Sequence, residues 1–143
     1  MNRLLVWGTG GLAEKFIENG YNGEIIGFIE TNKSKNVFMD KPVYGSWELP
    51  EEYDYIIVAN SYVAEIHHLC LKLKMDLSKV IFLYGVKNRI GNVEPSIIKE
   101  LLSEKNYIHY CREFTVLHNT FVDEDALEYR RKNSRPNFDI QER

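Results

Sequence analysis

The apolar run Leu4-Leu5-Val6-Trp7 breaks into Gly8-Thr9-Gly10-Gly11 and resumes as Leu12-Ala13-Glu14-Lys15-Phe16. Few patterns restrict a fold so tightly: a short strand, a turn almost free of side chains, then a helix. Gly8 permits a tight turn directly off the strand, Gly10 has no Cβ to hold the backbone away from a pyrophosphate, and Ala13 lets the helix pack close to the strand. Together they have the G-x-G-x-x-A form of the dinucleotide fingerprint. The loop amides and the positive end of the helix would face an anion with no basic side chain required. A second β-like run, Glu24-Ile25-Ile26-Gly27-Phe28-Ile29, ends in Glu30, roughly 20 residues after the glycines, where an acid is placed to accept hydrogen bonds from ribose hydroxyls. Gly8, Thr9, Gly10, Gly11 and Glu30 are therefore candidate cofactor-binding residues. The competing reading is a domain of the same shape whose pocket is empty.

Around this stretch the chain alternates strand and helix. Leu12, Phe16 and Ile17 share a helical face, and Asn19-Gly20 stops that helix. The polar loop Thr31–Asn36 would border a ribose; its lysines could meet a phosphate, although loop lysines are ordinarily solvated. Pro42, Gly45 and Pro50 forbid a long helix over residues 37–50, which reads as a short extended piece followed by one helical turn. Asp54-Tyr55-Ile56-Ile57-Val58-Ala59 reads as a strand buried on both faces. It ends at Asn60-Ser61, where ligands of open α/β sheets bind, so both join the candidate site; capping of the following helix explains them equally well. Val63, Ile66, Leu69, Cys70 and Leu73 form that helix's apolar stripe. His67 and His68 beside it lack the further ligands a metal would need, so no metal is expected. Lys79–Tyr84 is the fourth strand, and Tyr84 ends it either stacked on a ligand or packed at an edge. The expected fold is α/β: a small doubly wound parallel sheet, Rossmann-like, of order 3-2-1-4 over residues 1–86, with a helical extension over 87–143.

In the extension, Lys87–Asn92 is a polar connection, and Pro95 opens a helical segment with Ile97, Ile98, Leu101, Leu102 and Ile108 as its apolar positions. Two roles are open for it: covering one face of the sheet, or pairing with a second copy in a homodimer. Asp123–Asn133 has acids first and bases last, as a helix dipole prefers, which accounts for Arg130, Arg131, Lys132 and Arg135 without a phosphate site. After Pro136 the sequence resembles a linker, and the chain is expected to be the front end of a longer protein carrying an attached catalytic domain.

At 143 residues, 44% hydrophobic and 27% charged, the chain suits one ordinary soluble domain or one small domain with an appendage, too short for a nucleotide domain plus a full substrate domain. A net charge of -3 gives no electrostatic case for nucleic acid or an anionic membrane. The few apolar residues before Gly8 supply neither a signal-peptide core nor a membrane span, so a cytoplasmic location is expected. Cys70 and Cys111, far apart, fit free thiols. No Walker loop, G-x-S-x-G elbow or Tyr-x-x-x-Lys pair is present, so no catalytic residue can be named.

Residues from about Leu4 to Gly85 resemble the small Rossmann-like domains of bacterial sugar-modifying proteins in surface-polysaccharide biosynthesis, found with sugar acetyltransferases, dehydratases and methyltransferases. The resemblance rests on Val6-Trp7-Gly8-Thr9-Gly10-Gly11, Gly27-Phe28-Ile29-Glu30, Lys41-Pro42-Val43-Tyr44-Gly45 before Trp47-Glu48-Leu49, and Tyr53–Asn60. It implies a nucleotide or nucleotide-sugar on Gly8, Gly10, Gly11 and Glu30, with the chemistry done by another domain. Two alternatives stand beside this binding module. One is a fragment of an NAD-dependent oxidoreductase or epimerase, Glu30 favouring NAD because a carboxylate repels a 2′-phosphate. The other is an S-adenosylmethionine methyltransferase or its accessory domain, against which Val6 and Leu12 depart from the usual glycine motif.

Overall fold

The computed structural model of the protein describes residues 1–84 and 93–117. Chain order is β1 (Arg3–Trp7), α1 (Gly11–Asn19), β2 (Glu24–Glu30), β3 (Val37–Phe38), β4 (Lys41–Gly45), β5 (Tyr55–Val58), α2 (Val63–Lys72), β6 (Val80–Phe82), α3 (Pro95–Leu101) and α4 (Glu104–Leu117). The strands form one mixed sheet in the order β3-β4-β2-β1-β5-β6. All neighbouring pairs are parallel except β3 with β4.

This corrects the expected wholly parallel sheet of order 3-2-1-4. The strand at Tyr55–Val58 lies beside β1, not beside β2, because the seat next to β2 is already filled. Residues 37–45 fill it as a hairpin. Met39 and Asp40 both have positive φ, 48° and 63°, which is the backbone of a two-residue type I′ turn. Phe38 thereby pairs with Lys41, and the chain continues as β4 along β2. On the other side of β1, Asp54 exchanges two bonds with Arg3: its amide donates to the Arg3 carbonyl at 2.8 Å, and its carboxylate accepts the Arg3 amide at 2.7 Å. The pair fixes the register in which β5 joins β1.

The core runs along these central strands. Leu4, Leu5, Val6, Trp7, Ile56, Ile57 and Val58 are all buried, each large aliphatic contributing about 1.5–3 kcal/mol. From α1, Ala13 and Phe16 are buried, while Leu12 and Ile17 pack at the margin. In α2, Val63, Ile66 and Cys70 are inside. Leu73, expected in that stripe, is exposed, because the helix ends at Lys72 and the backbone reverses at Lys74 with φ 57°.

The segment after Pro95 is two helices rather than one. Leu102 between them is extended and bridges Tyr21, Asn22 donates to the Leu101 carbonyl at 2.7 Å, and Ser103 donates to the Gly20 carbonyl at 3.2 Å. From α4, the fully buried Asn106 donates its amide to the Phe16 carbonyl at 2.9 Å and the Gly20 carbonyl at 2.8 Å. A side chain from the far end of the chain thus caps the C-terminus of α1, where carbonyls lack helical partners. The boundary expected at residue 86, the connection Lys87–Asn92, the stretch Asp123–Asn133 and the tail after Pro136 lie outside the described residues. Among the described residues no helix is long and apolar enough to cross a membrane.

Candidate functional site

The carboxyl ends of β1, β2 and β5 open into a cavity of about 520 Å³, within the ~300–1,000 Å³ usual for small-molecule sites. Its position follows from the topology. The chain leaves β1 toward β2 on one side, and β5 takes the other side, so the crevice lies at the point where strand order reverses. Gly8, Thr9, Gly10, Gly11, Glu30, Asn60 and Ser61 all line this cavity. Seven residues from three separate stretches, named from sequence, are brought together.

The glycines divide by physical role. Gly8 has φ +137°, and a Cβ there would stand 2.6 Å from the Ala59 carbonyl oxygen; the close passage of β1 past β5 needs glycine at that point. At Gly10 and Gly11 a Cβ would meet nothing within 4 Å. Gly10 has φ -112° and ψ -157°, open to any residue. Nothing in the packing of the described residues therefore asks for glycine at these two exposed positions, which line the cavity. Gly10 gives α1 no side-chain cap, and the first helical bond runs from the Glu14 amide to the Gly10 carbonyl at 3.1 Å. The amides of Gly11, Leu12 and Ala13 consequently have no partner within the helix.

Glu30 is held more firmly than an acid at a strand end needs to be. Oε1 accepts the Ser34 amide at 2.8 Å and the Ser34 hydroxyl at 3.1 Å; Oε2 accepts the Thr9 hydroxyl at 2.6 Å and Lys35 Nζ at 3.1 Å. Lys35 Nζ also donates to Thr9 Oγ1 at 3.1 Å. A carboxylate offers about four lone-pair sites, and four donors of the chain itself occupy them. Burial pushes the Glu30 carboxyl upward, its side chain being 12% exposed. The bonds from the Ser34 amide, Thr9, Lys35 and the Ser34 hydroxyl outweigh that and bring its pKa down to about 2. In this structure Glu30 ties the glycine turn to the loop after β2. The loop lysines are not merely solvated: Lys35 serves this cluster, and Lys33 pairs with Glu48 at 2.7 Å.

Asn60 has the structural role that sequence left open, in a different form. It donates to the Trp7 carbonyl at 3.2 Å and accepts the Tyr62 amide at 2.9 Å, closing a turn ahead of α2 rather than capping the helix directly. Ser61 is exposed at the rim. Tyr84 does not line the cavity; it is buried with its ring 4.5 Å from that of His109, and burial pushes its hydroxyl up to about 12. His67 sits edge-on to Phe82, and among the described residues no three His, Cys, Asp or Glu side chains converge.

Sequence reasoning missed the α2 wall. Tyr62, Glu65 and Ile66 line the cavity together with Thr31 and Asn32. The spacing i, i+3, i+4 from the end of a strand into the next helix was the available signal, hidden because only Ile66 was read, as core.

The architecture and the cavity define the class: a small α/β domain with a ligand-sized crevice at the switch point of a mixed sheet. Within it, the chain belongs to the C2185-like, N-terminal family, whose profile matches residues 1–81, more than half of the 143. No curated protein matches the chain.

Proposed function

We propose that this chain is a nucleotide- or nucleotide-sugar-binding module, and that it serves a sugar-modifying enzyme of glycan biosynthesis. The observation that carries the reading is the pair Gly10 and Gly11: both line the cavity, and a side chain at either would meet only open space. A phosphate fits there, against the partnerless amides at the start of α1. Neutral Thr31 and Asn32 line the same cavity, side chains suited to a nucleoside. The sugar-enzyme association rests on the resemblance of residues 4–85, and the cytoplasm is the compartment where such ligands are made available to it.

The test is thermal-shift screening followed by calorimetry with UDP, UDP-glucose, NAD, NADP and S-adenosylmethionine. A ligand that binds only the folded state stabilises it by about 2.7 kcal/mol at 100 times its dissociation constant. A shift with UDP or UDP-glucose, abolished by Gly10→Val while the circular dichroism spectrum is kept, supports the module. A shift with NAD alone replaces it by the oxidoreductase reading, and one with S-adenosylmethionine alone by the methyltransferase reading. No shift with any of them refutes nucleotide binding.

A further inference from the structure

Two acids line the cavity, Glu30 and Glu65. Glu30 has no acceptor capacity left, for the Ser34 amide, Ser34 hydroxyl, Thr9 and Lys35 take it up. A hydroxyl-bearing ligand could bond Glu30 only by displacing one of these. Glu65 is different: it is exposed, in the first turn of α2, and makes no hydrogen bond or ion pair among the described residues. Three residues earlier, Tyr62 is 66% exposed and lines the same cavity, as does the buried Ile66. An exposed aromatic ring and an unengaged carboxylate three residues apart in the cavity lining are elements that bind a sugar, whose faces are apolar and whose edges donate hydroxyl hydrogens. At the end of β2, by contrast, the acid Glu30 is already bonded within the chain, and the aromatic Trp7 is buried with its Nε1 donating to Thr31 at 3.1 Å.

Resting on the nucleotide reading above, we infer that Glu65 is the specificity-determining acid of the site: the sugar half of a nucleotide-sugar lies on the α2 wall, stacked on Tyr62 and hydrogen-bonded by Glu65, and a sugar bearing its own carboxylate is rejected. The rival explanation of Glu65 is its favourable placement in the first turn of a helix. That role affects stability alone and is blind to the ligand's sugar.

Calorimetry with UDP, UDP-glucose and UDP-glucuronate on the wild-type chain and on Glu65→Gln separates the two. The wild type is expected to bind UDP-glucose about fivefold or more tighter than UDP-glucuronate, the size of one like-charge contact near a wet surface. Glu65→Gln should bring the two within about twofold, and leave UDP affinity unchanged. Tyr62→Ala should weaken UDP-glucose and not UDP. Glu65→Gln keeps a side chain of the same size at an exposed position, so it folds, as circular dichroism will verify. If the wild type binds UDP and both sugars and Glu65→Gln leaves their ratio as it was, the inference is overturned while the nucleotide reading survives. If the wild type binds none of the three probes, both fall together.

Discussion

Gly8 and Gly10 stand two residues apart in one turn, and their replacement by alanine should have opposite effects. At Gly8 the backbone has φ +137°, and the new methyl would stand 2.6 Å from the Ala59 carbonyl oxygen. Holding a non-glycine residue in such a conformation costs on the order of 1–3 kcal/mol. Relieving the contact means parting the ends of β1 and β5, so about 2–4 kcal/mol is expected in all. That is a large share of the ~5–15 kcal/mol that keeps a domain folded. At Gly10 the backbone is extended and the methyl meets nothing, so Gly10→Ala should be neutral or stabilise by up to about 1 kcal/mol, through a less flexible unfolded chain. Urea unfolding followed by circular dichroism reads the difference. With a slope of about 2 kcal/mol per M, Gly8→Ala should lower the midpoint by about 1–2 M and Gly10→Ala should leave or raise it. In titrations with UDP-glucose the order inverts: Gly10→Ala should weaken binding at least about tenfold, some 1.4 kcal/mol. Equal destabilisation by the two substitutions would refute the division into a glycine the fold needs and a glycine only a ligand needs.

Three further outcomes follow from the same geometry. Asn106→Ala should destabilise by about 2 kcal/mol in urea unfolding, because the Phe16 and Gly20 carbonyls lose its amide yet each keeps one backbone donor; Asn106→Asp, turning a carboxylate on both carbonyls, should be worse. Replacing Met39-Asp40 by Asn-Gly should raise stability by about 1 kcal/mol, since both positions already have the positive φ of a type I′ turn, and a thermal midpoint that falls would refute the turn assignment. Glu30 has its pKa lowered from 4.5 to about 2 on folding, so its stabilisation is present above pH 4.5 and is lost as pH falls toward 2; unfolding midpoints of Glu30→Gln and wild type should differ at pH 6 and converge by pH 2.

The sequence was most legible where one residue type has one physical use. The strand, glycine turn and helix at Leu4–Phe16, the stop at Gly20 and the acid closing β2 lie where the pattern placed them. Sheet order was not legible, because it depended on a hairpin whose turn is Met39-Asp40 instead of the Asn-Gly or Asp-Gly that announces such turns. Pro42 further disguised its second strand. The Glu30 cluster escaped for another reason. Ser34 and Lys35 are ordinary loop residues in composition, and their use emerges only when the loop folds back on the strand end. Asn106 is one polar residue inside a helix, and only the position of α1 shows what its amide is for.

The nine-residue rod α1 is completed at one pole only. At its negative end the buried amide of Asn106 and the backbone donors of Gly20 and Ser103 meet the Phe16, Ile17 and Gly20 carbonyls. Its positive end has neither a capping side chain nor a neighbouring base among the cavity's lining residues. An anion arriving there, as proposed, would complete a half-finished electrostatic circuit without breaking a bond the fold already uses, and its departure would leave the domain as it was.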